Sequence, residues 1–183
     1  MEYRFLGCSF GLPTSSPQPL RVIAGPQIDY FSKEGVDTFV SSEYIVTDKF
    51  DRMGYRLNGA SIAHAEGKDG NIISDGVPLG AIQVPQDQPI IMMADRQTTG
   101  GYTKIASVVS VDLPYVAQLK AGDAVRFQMI DIIEAQRLYI ERMQFFRKLN
   151  DQLNQTTIIG KHIYQITAAG KTFHLECSEI VDS

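Results

Sequence analysis

Between Leu20 and Phe127 the chain is cut too often by turn signals to form a few long elements. Asn58-Gly59, Asp69-Gly70, Asp75-Gly76 and Gly122-Asp123 each join a residue that bonds its own backbone to a glycine free to reverse the chain. The apolar runs between them are short, either alternating or continuous, which is the rhythm of a β-barrel or sandwich. Strands are predicted at 20–23, 44–46, 80–84, 89–93, 105–111 and 124–129. The run Ile90-Ile91-Met92-Met93-Ala94 is apolar without alternation, so that strand is expected to be buried on both faces.

Three stretches read as helical. Residues 29–33 begin a short helix, and 113–119 form another, with Asp112 as N-cap and Pro114 in the first turn. The clearest lies at 132–153, where Ile132, Ala135, Tyr139, Met143, Phe146, Leu149 and Leu153 recur at spacings of three and four. Its other face carries Glu134, Arg137, Glu141, Arg142 and Lys148. After a polar break comes a hairpin, in which Phe173, Leu175 and Cys177 alternate with His174 and Glu176 beyond a turn at Ala169-Gly170. Residues 11–20 carry three prolines and two serines and resist regular structure. The expected organisation is a lead-in over 1–19, a domain with its helix over 20–153, and a hairpin extension over 154–183.

With 183 residues, 44% hydrophobic and 21% charged, the chain suits one soluble globular domain. A net charge of −4 provides no basic surface for nucleic acid or an anionic membrane, so neither partner is expected. Cys8 and Cys177 lack CxxC spacing and read as free thiols in a reducing compartment. With no signal-peptide pattern and no apolar run near the roughly 20 residues of a membrane span, the expected location is cytoplasmic. His64, His162 and His174 form no metal-type spacing and no nucleophile–His–acid series, so no metal site is predicted. Neither GxxxxGK[ST] nor GxGxxG occurs, so any ATP used with this chain is expected to bind largely elsewhere.

The most unusual stretch runs from Asp95 through Arg96, Gln97, Thr98, Thr99, Gly100 and Gly101 to Tyr102, directly after the apolar strand. A buried strand ending in so many donors and acceptors can present a small polar ligand with a guanidinium fork, amide and hydroxyls. The same residues also suit a polar loop with turn-capping Asp95 and Thr98 and a structural Arg96, and residue types alone favour that reading. Arg52 and Arg56, four apart in Asp51-Arg52-Met53-Gly54-Tyr55-Arg56-Leu57, fit either an anion site or a solvated turn and strand. In the segment from Ser74 to Pro85, Asp75 is expected to shape a turn, while Gln83 faces away from Ile82 and Val84 and can line a groove or bond a neighbouring strand.

Ser74-Asp75-Gly76-Val77-Pro78-Leu79-Gly80-Ala81-Ile82-Gln83-Val84-Pro85, then Ala94 to Tyr102, then Asp112-Leu113-Pro114 through Gly122-Asp123-Ala124-Val125-Arg126-Phe127 resemble, in that order, the C-terminal half of the 5-oxoprolinase C subunit. This is the KipA-type family, also called allophanate hydrolase subunit 2 or biotin-dependent carboxyltransferase-like. Arg21 to Gln27 and Asp51 to Leu57 extend the likeness over about 20–149. The resemblance implies a mainly β fold, a cyclophilin-like β-barrel, here with one long C-terminal helix and a terminal β-hairpin.

For function it implies ATP-dependent opening of the 5-oxoproline lactam to glutamate, with 5-oxoprolinase subunits A and B (KipI-like) and a further N-terminal lobe as partners. A homo-oligomer is compatible with it. Asp95 is then the first candidate for the catalytic base, with Arg96, Gln97, Thr98, Thr99 and Tyr102 lining the substrate cleft and Arg52, Arg56, Asp75 and Gln83 around it. That reading requires Asp95, Arg96 and Gln97 to converge on one open hollow. The alternatives are a non-catalytic regulatory module acting on a KipI-type partner and a carboxyltransferase lobe of a urea carboxylase-like system. Proline isomerisation rests on fold analogy alone and ranks last. The chain departs from the family pattern where Val84-Pro85-Gln86-Asp87 lacks the usual glycine, and at Thr103, where a proline is common. Ala169-Gly170-Lys171 resembles the opening of biotinyl domains, but no biotin-accepting Met-Lys follows.

Overall fold

The structure, a computed structural model, describes residues 18–154, 157–168 and 170–181. Most of the expected lead-in, with Cys8, lies outside the described residues, as does Ala169 of the expected turn. The chain divides into two compact units between Ile140 and Glu141, within the long helix.

The first unit carries ten strands: β1 (Leu20–Ala24), β2 (Tyr44–Phe50), β3 (Gly54–Asn58), β4 (Asn71–Gly76), β5 (Ala81–Gln83), β6 (Ile90–Met92), β7 (Thr99–Tyr102), β8 (Lys104–Val108), β9 (Ala124–Val125) and β10 (Phe127–Met129). Eight of them form one sheet in the order β10-β1-β8-β5-β6-β3-β2-β9, while β4 and β7 pair as a separate ribbon. The segment expected as a single strand at 124–129 is broken at Arg126. Its first half pairs with β2 through Tyr44↔Val125, and its second half runs parallel to β1 through Leu20↔Phe127. One short segment therefore supplies both edges of the sheet, which nearly closes it into a barrel and leaves little free edge. The Arg126 guanidinium reaches Glu43 at 3.1 Å.

Val22, Val46, Leu57, Ile82, Ile91 and Ile105 fill the barrel. The helix expected to begin at 29–33 is α1 (Lys33–Ser41), preceded by a single 3-10 turn, Ile28–Tyr30. Ser32 sets that start, because its hydroxyl accepts the amide proton of Gly35 at 3.0 Å. From α1, Phe39 stacks on Phe127 with ring centres 4.5 Å apart.

The next helix, α2 (Leu113–Val116), is shorter than the 113–119 expected, and Asp112 does not cap it. Its carboxylate instead accepts from the backbone N–H and Nε of Arg21, both at 2.9 Å, and pairs with Nη2 of the same residue. An ion pair with three hydrogen bonds outcompetes a single cap bond for a nearly buried carboxylate. Strand β8 also ends earlier than expected, at Val108 rather than Val111.

Helix α3 (Ile132–Asn154) matches the expected span. Of its apolar stripe, Ile132, Tyr139 and Phe146 remain exposed. In the second unit, β11 (Thr157–Ala168) and β12 (Lys171–Val181) form an antiparallel hairpin longer than the sequence predicts. His162↔Cys177, Tyr164↔Leu175 and Ile166↔Phe173 are cross-strand pairs at alternate positions. Cys177 is a free, exposed thiol. The mainly β body, long helix and terminal hairpin agree with the fold expected from the sequence. No helix among the described residues is long and apolar enough to cross a membrane.

Replacing Asp112 by Ala leaves the partly buried Arg21 guanidinium without its carboxylate. Because Arg21 keeps some access to water, the expected loss is about 2 kcal/mol, below the full cost of orphaning a buried charge. It should appear as a lower urea midpoint with an unchanged m-value.

Candidate functional site

The candidate site lies on the outer face of the barrel sheet, under and beside the β4–β7 ribbon. Ile91 and Met93 point into the barrel core, so Ile90 and Met92 point outward. There Met92 packs with Ala81 and with Val77, the residue that follows β4, and Ile90 joins them. This small apolar cluster fastens the ribbon to the sheet. Every residue of β5 is thereby buried, Gln83 included.

Gln83 is 1% exposed, and its Nε2 has no hydrogen-bond partner among the described residues. Gln83, with that nitrogen sealed beneath the surface, borders a recess of about 300 Å³ also lined by Asp48, Lys49, Asp51, Arg56, Ile90, Gln97 and Tyr102. The register explains the grouping, because Gln83 is opposite Ile90 and Ile90 is opposite Arg56 on three adjacent strands. Cross-strand partners share a face, so guanidinium, apolar side chain and amide form one row. Gly100 of β7 lies against the Gln83 amide. A Cβ there would fall 2.9 Å from Gln83 Nε2 and 3.1 Å from Val77 Cγ2, so only glycine lets the amide lie against this strand.

A buried lysine also holds the ribbon, close to the same end. Lys104 has a side chain 1% exposed, and its Nζ reaches Asp75 Oδ2 at 3.1 Å. The same carboxylate accepts from Gln27 Nε2 at 3.3 Å and from the Gly76 amide at 2.7 Å. The hydrogen bond from Lys104, followed by those from Gly76 and Gln27, holds the Asp75 carboxyl below the usual carboxylate range. Where the sequence predicts that Asp75 shapes a turn, the structure has a β4 residue whose charge compensates the buried ammonium.

Of the ten residues singled out in the sequence, Arg56, Gln83, Gln97 and Tyr102 line the recess. Asp95, Arg96 and Gln97 do not converge. Asp95 pairs with Arg52 at 2.9 Å in an exposed ion pair, and Arg96 donates from Nε to the carbonyl of Val77 at 2.8 Å and from Nη1 to that of Met93 at 3.3 Å. Arg96 thus ties the end of β6 to the end of β4. Thr98 and Thr99 have exposed side chains and do not line the recess. The stretch that reads as a polar loop is partly strand β7, with Gly100 opposite Asp75.

Sequence reasoning does not find Lys49, although it stands on the recess wall. Nor does it find a second cluster, in which His64 Nε2 lies 3.2 Å from Thr103 Oγ1, its Nδ1 lies 3.5 Å from Asp87 Oδ1, and its ring packs on Phe31. Gln86 and Asp87 take φ of 50° and 66°, the region where glycine is favoured. The two departures from the family pattern, the loop at 84–87 and Thr103, therefore meet at one histidine. No group of three or more potential metal ligands occurs among the described residues.

A family model described as carboxyltransferase domain, subdomain A and B, matches residues 9–129. The chain is 33% identical over 131 residues to the 5-oxoprolinase C subunit of Escherichia coli, covering 71% of this chain and 42% of that protein. It is 37% identical over 128 residues to the 5-oxoprolinase C subunit of Haemophilus influenzae, covering 67% and 41%. It thus spans about two fifths of the length of these curated relatives. Among solved structures, the urea amidolyase of Kluyveromyces lactis superposes with a TM-score of 0.65 at 29% identity, over 69% of this chain and 8% of that one.

Because the native Asp75 carboxyl titrates below its unfolded value, its contribution to holding the ribbon is complete above the usual carboxylate range. It is lost as pH falls through the lowered value. Amide exchange at Gly76 and Gly100 is expected to accelerate in that acid window, and Asp75→Asn should remove the acid-dependent step, leaving exchange fast at neutral pH as well.

Proposed function

The chain belongs to the carboxyltransferase family, subdomain A and B, and from that membership we propose that it is one lobe of a multi-chain, ATP-dependent 5-oxoprolinase. In this reading it contributes part of the cleft in which the 5-oxoproline lactam is opened to glutamate. Subunits A and B, together with the remainder of a polypeptide as long as the matched relatives, supply the rest, including the groups that handle ATP. The observation that carries the reading is the match to two 5-oxoprolinase C subunits over 71% and 67% of this chain.

The chemistry suits the side chains present. Opening a lactam is an amide hydrolysis, in which negative charge develops on the carbonyl oxygen as the nucleophile adds and is relieved when the C–N bond breaks. The recess offers the N–H donors of Gln97, the Tyr102 hydroxyl and the cations of Lys49 and Arg56, with the carboxylates of Asp48 and Asp51 beside them. These groups support binding and polarisation of an amide. Asp95, held by Arg52 outside the recess, gains no support as the base.

A second reading is carboxyl transfer in a urea carboxylase-like system, favoured by the superposition on the urea amidolyase. Urea and a lactam share the carbonyl and nitrogen that such a recess would grip.

Reconstitution separates the two. The chain alone should be inactive, and glutamate release dependent on ATP and 5-oxoproline should require subunits A and B and this lobe extended to the relatives' full length. A complete assembly that ignores 5-oxoproline but consumes ATP with urea and bicarbonate would favour the carboxylase reading.

A further inference from the structure

Strands β11 and β12 form a sheet of two strands by themselves. A sheet of that size is marginally stable in water and gains most from a third strand or a cover for its apolar face. Cross-strand partners share a face, so Tyr164, Ile166, Phe173 and Leu175 stand together on one side of the hairpin. All four are between 46% and 52% exposed, which is what a side chain retains when a strand flanks it on one side only.

The two outer edges differ. Between Ile158 and Gly160 the register shifts, and the extra residue belongs to β11, so a bulge interrupts that strand's edge. Strand β12 runs from Lys171 to Val181 without a bulge, a proline or a glycine. Its outer edge is a regular row of backbone donors and acceptors that no third strand meets among the described residues. The order of residues along β12 selects what fits there. Laid antiparallel against itself about Leu175, the strand sets Leu175 opposite Leu175, Phe173 opposite Cys177, His174 opposite Glu176 and position 171, a lysine, opposite position 179, a glutamate. A centre one residue later sets Glu176 against Glu176, like charges directly opposite. One residue earlier sets His174 against itself and Lys171 against Cys177, and a centre between residues mixes the two faces.

We propose that β12 pairs antiparallel with β12 of a second copy of this chain, with the two-fold axis at Leu175, so that two hairpins make one four-stranded sheet. Its strand order is β11-β12-β12-β11, which leaves only the bulged strands at the rim. Phe173 and Leu175 of each copy gain the flank they lack, and the four apolar residues of both hairpins join into one face. The paired edge from 171 to 179 is about 30 Å long. That is small for a specific interface, so the expected dissociation constant is on the order of 10–100 µM. The pairing is independent of which reaction the chain serves.

Sedimentation velocity of the full chain, from about 1 µM to on the order of 1 mM, should show a monomer passing into a dimer. Lys171→Glu, an exposed change beside the turn, should weaken the dimer about tenfold or more, because the symmetry repeats the new repulsion twice. Lys171→Glu combined with Glu179→Lys should restore the wild-type constant to within about threefold. Disulfide trapping reads the register. With Cys8→Ser, Cys177 is the one remaining thiol. Phe173→Cys then places a thiol directly opposite Cys177 of the second copy, at a separation a disulfide spans, and should form a covalent dimer on mild oxidation. Ile166→Cys, on the same face and similarly exposed but on β11, should not.

A chain that stays monomeric over the whole concentration range would overturn the proposal. So would a dimer indifferent to Lys171→Glu, or covalent dimer formed as readily by Ile166→Cys as by Phe173→Cys, since either assigns the contact to another surface. Far-UV circular dichroism of each variant separates loss of pairing from loss of the hairpin, and the double charge reversal returns both charges to the strand. A double reversal that folds and stays as weak as the single one rejects the register about Leu175, and the proposal with it.

Discussion

Strand β5 is covered on both faces, and the candidate site depends on that double burial. Ile82 packs inside the barrel, while Ala81 and Gln83 point outward and are covered by the β4–β7 ribbon. A two-stranded ribbon has no stability of its own in water, so its fastenings decide whether the recess exists. Three are of different kinds. Val77 contributes apolar contact with Ala81 and Met92, Arg96 spans two backbone carbonyls, and Lys104 meets Asp75. Burying an ammonium costs several kcal/mol, and Asp75, with Gln27 and Gly76 behind it, offsets that cost only while the ribbon is seated. The polar fastening is therefore an all-or-none element, whereas the apolar one tolerates small shifts.

Closure of the barrel places the site at a fixed distance from the seam. Because β9 and β10 are one segment interrupted at Arg126, the two edge strands cannot slide independently. A one-residue slip at either edge would turn Val125 or Phe127 away from the core. The Arg21–Asp112 pair reinforces β1 next to this seam, using the carboxylate that the sequence predicts as the α2 cap. The recess lies on β2, β3, β6 and β5, none of them an edge strand, each hydrogen-bonded to neighbours on both sides.

What can be read in the sequence follows from which physical signal each element carries. The run Ile90 to Ala94 announces burial on both faces because no polar residue interrupts it, and strand parity places Gln83 opposite Ile82 and Val84 correctly. Strands β4 and β7 carry no such signal. Asn71-Ile72-Ile73-Ser74-Asp75-Gly76 and Thr99-Gly100-Gly101-Tyr102 are largely exposed, and their extended form comes from pairing with each other. Arg96 misleads because a guanidinium fork fits two carbonyls as well as a carboxylate, and only geometry distinguishes them. Lys49 escapes notice because a lysine at the end of a strand has no pattern to separate it from a solvated surface residue.

The composition of the recess has a consequence for the proposed activity. Gln97 and Tyr102 can donate hydrogen bonds, and Lys49 and Arg56 stand with Asp48 and Asp51 as charged groups, but the first candidate for a base, Asp95, is paired with Arg52 outside the recess. Hydrolysis of an amide needs both a stabilised oxyanion and an activated nucleophile. This lobe is equipped for the first task. If it works in a 5-oxoprolinase, Asp95 is not free to activate the nucleophile, and supplying it from a facing lobe or a companion chain would divide the labour. Such a split couples chemistry to assembly, since a bound amide meets its nucleophile only when the other chain has docked.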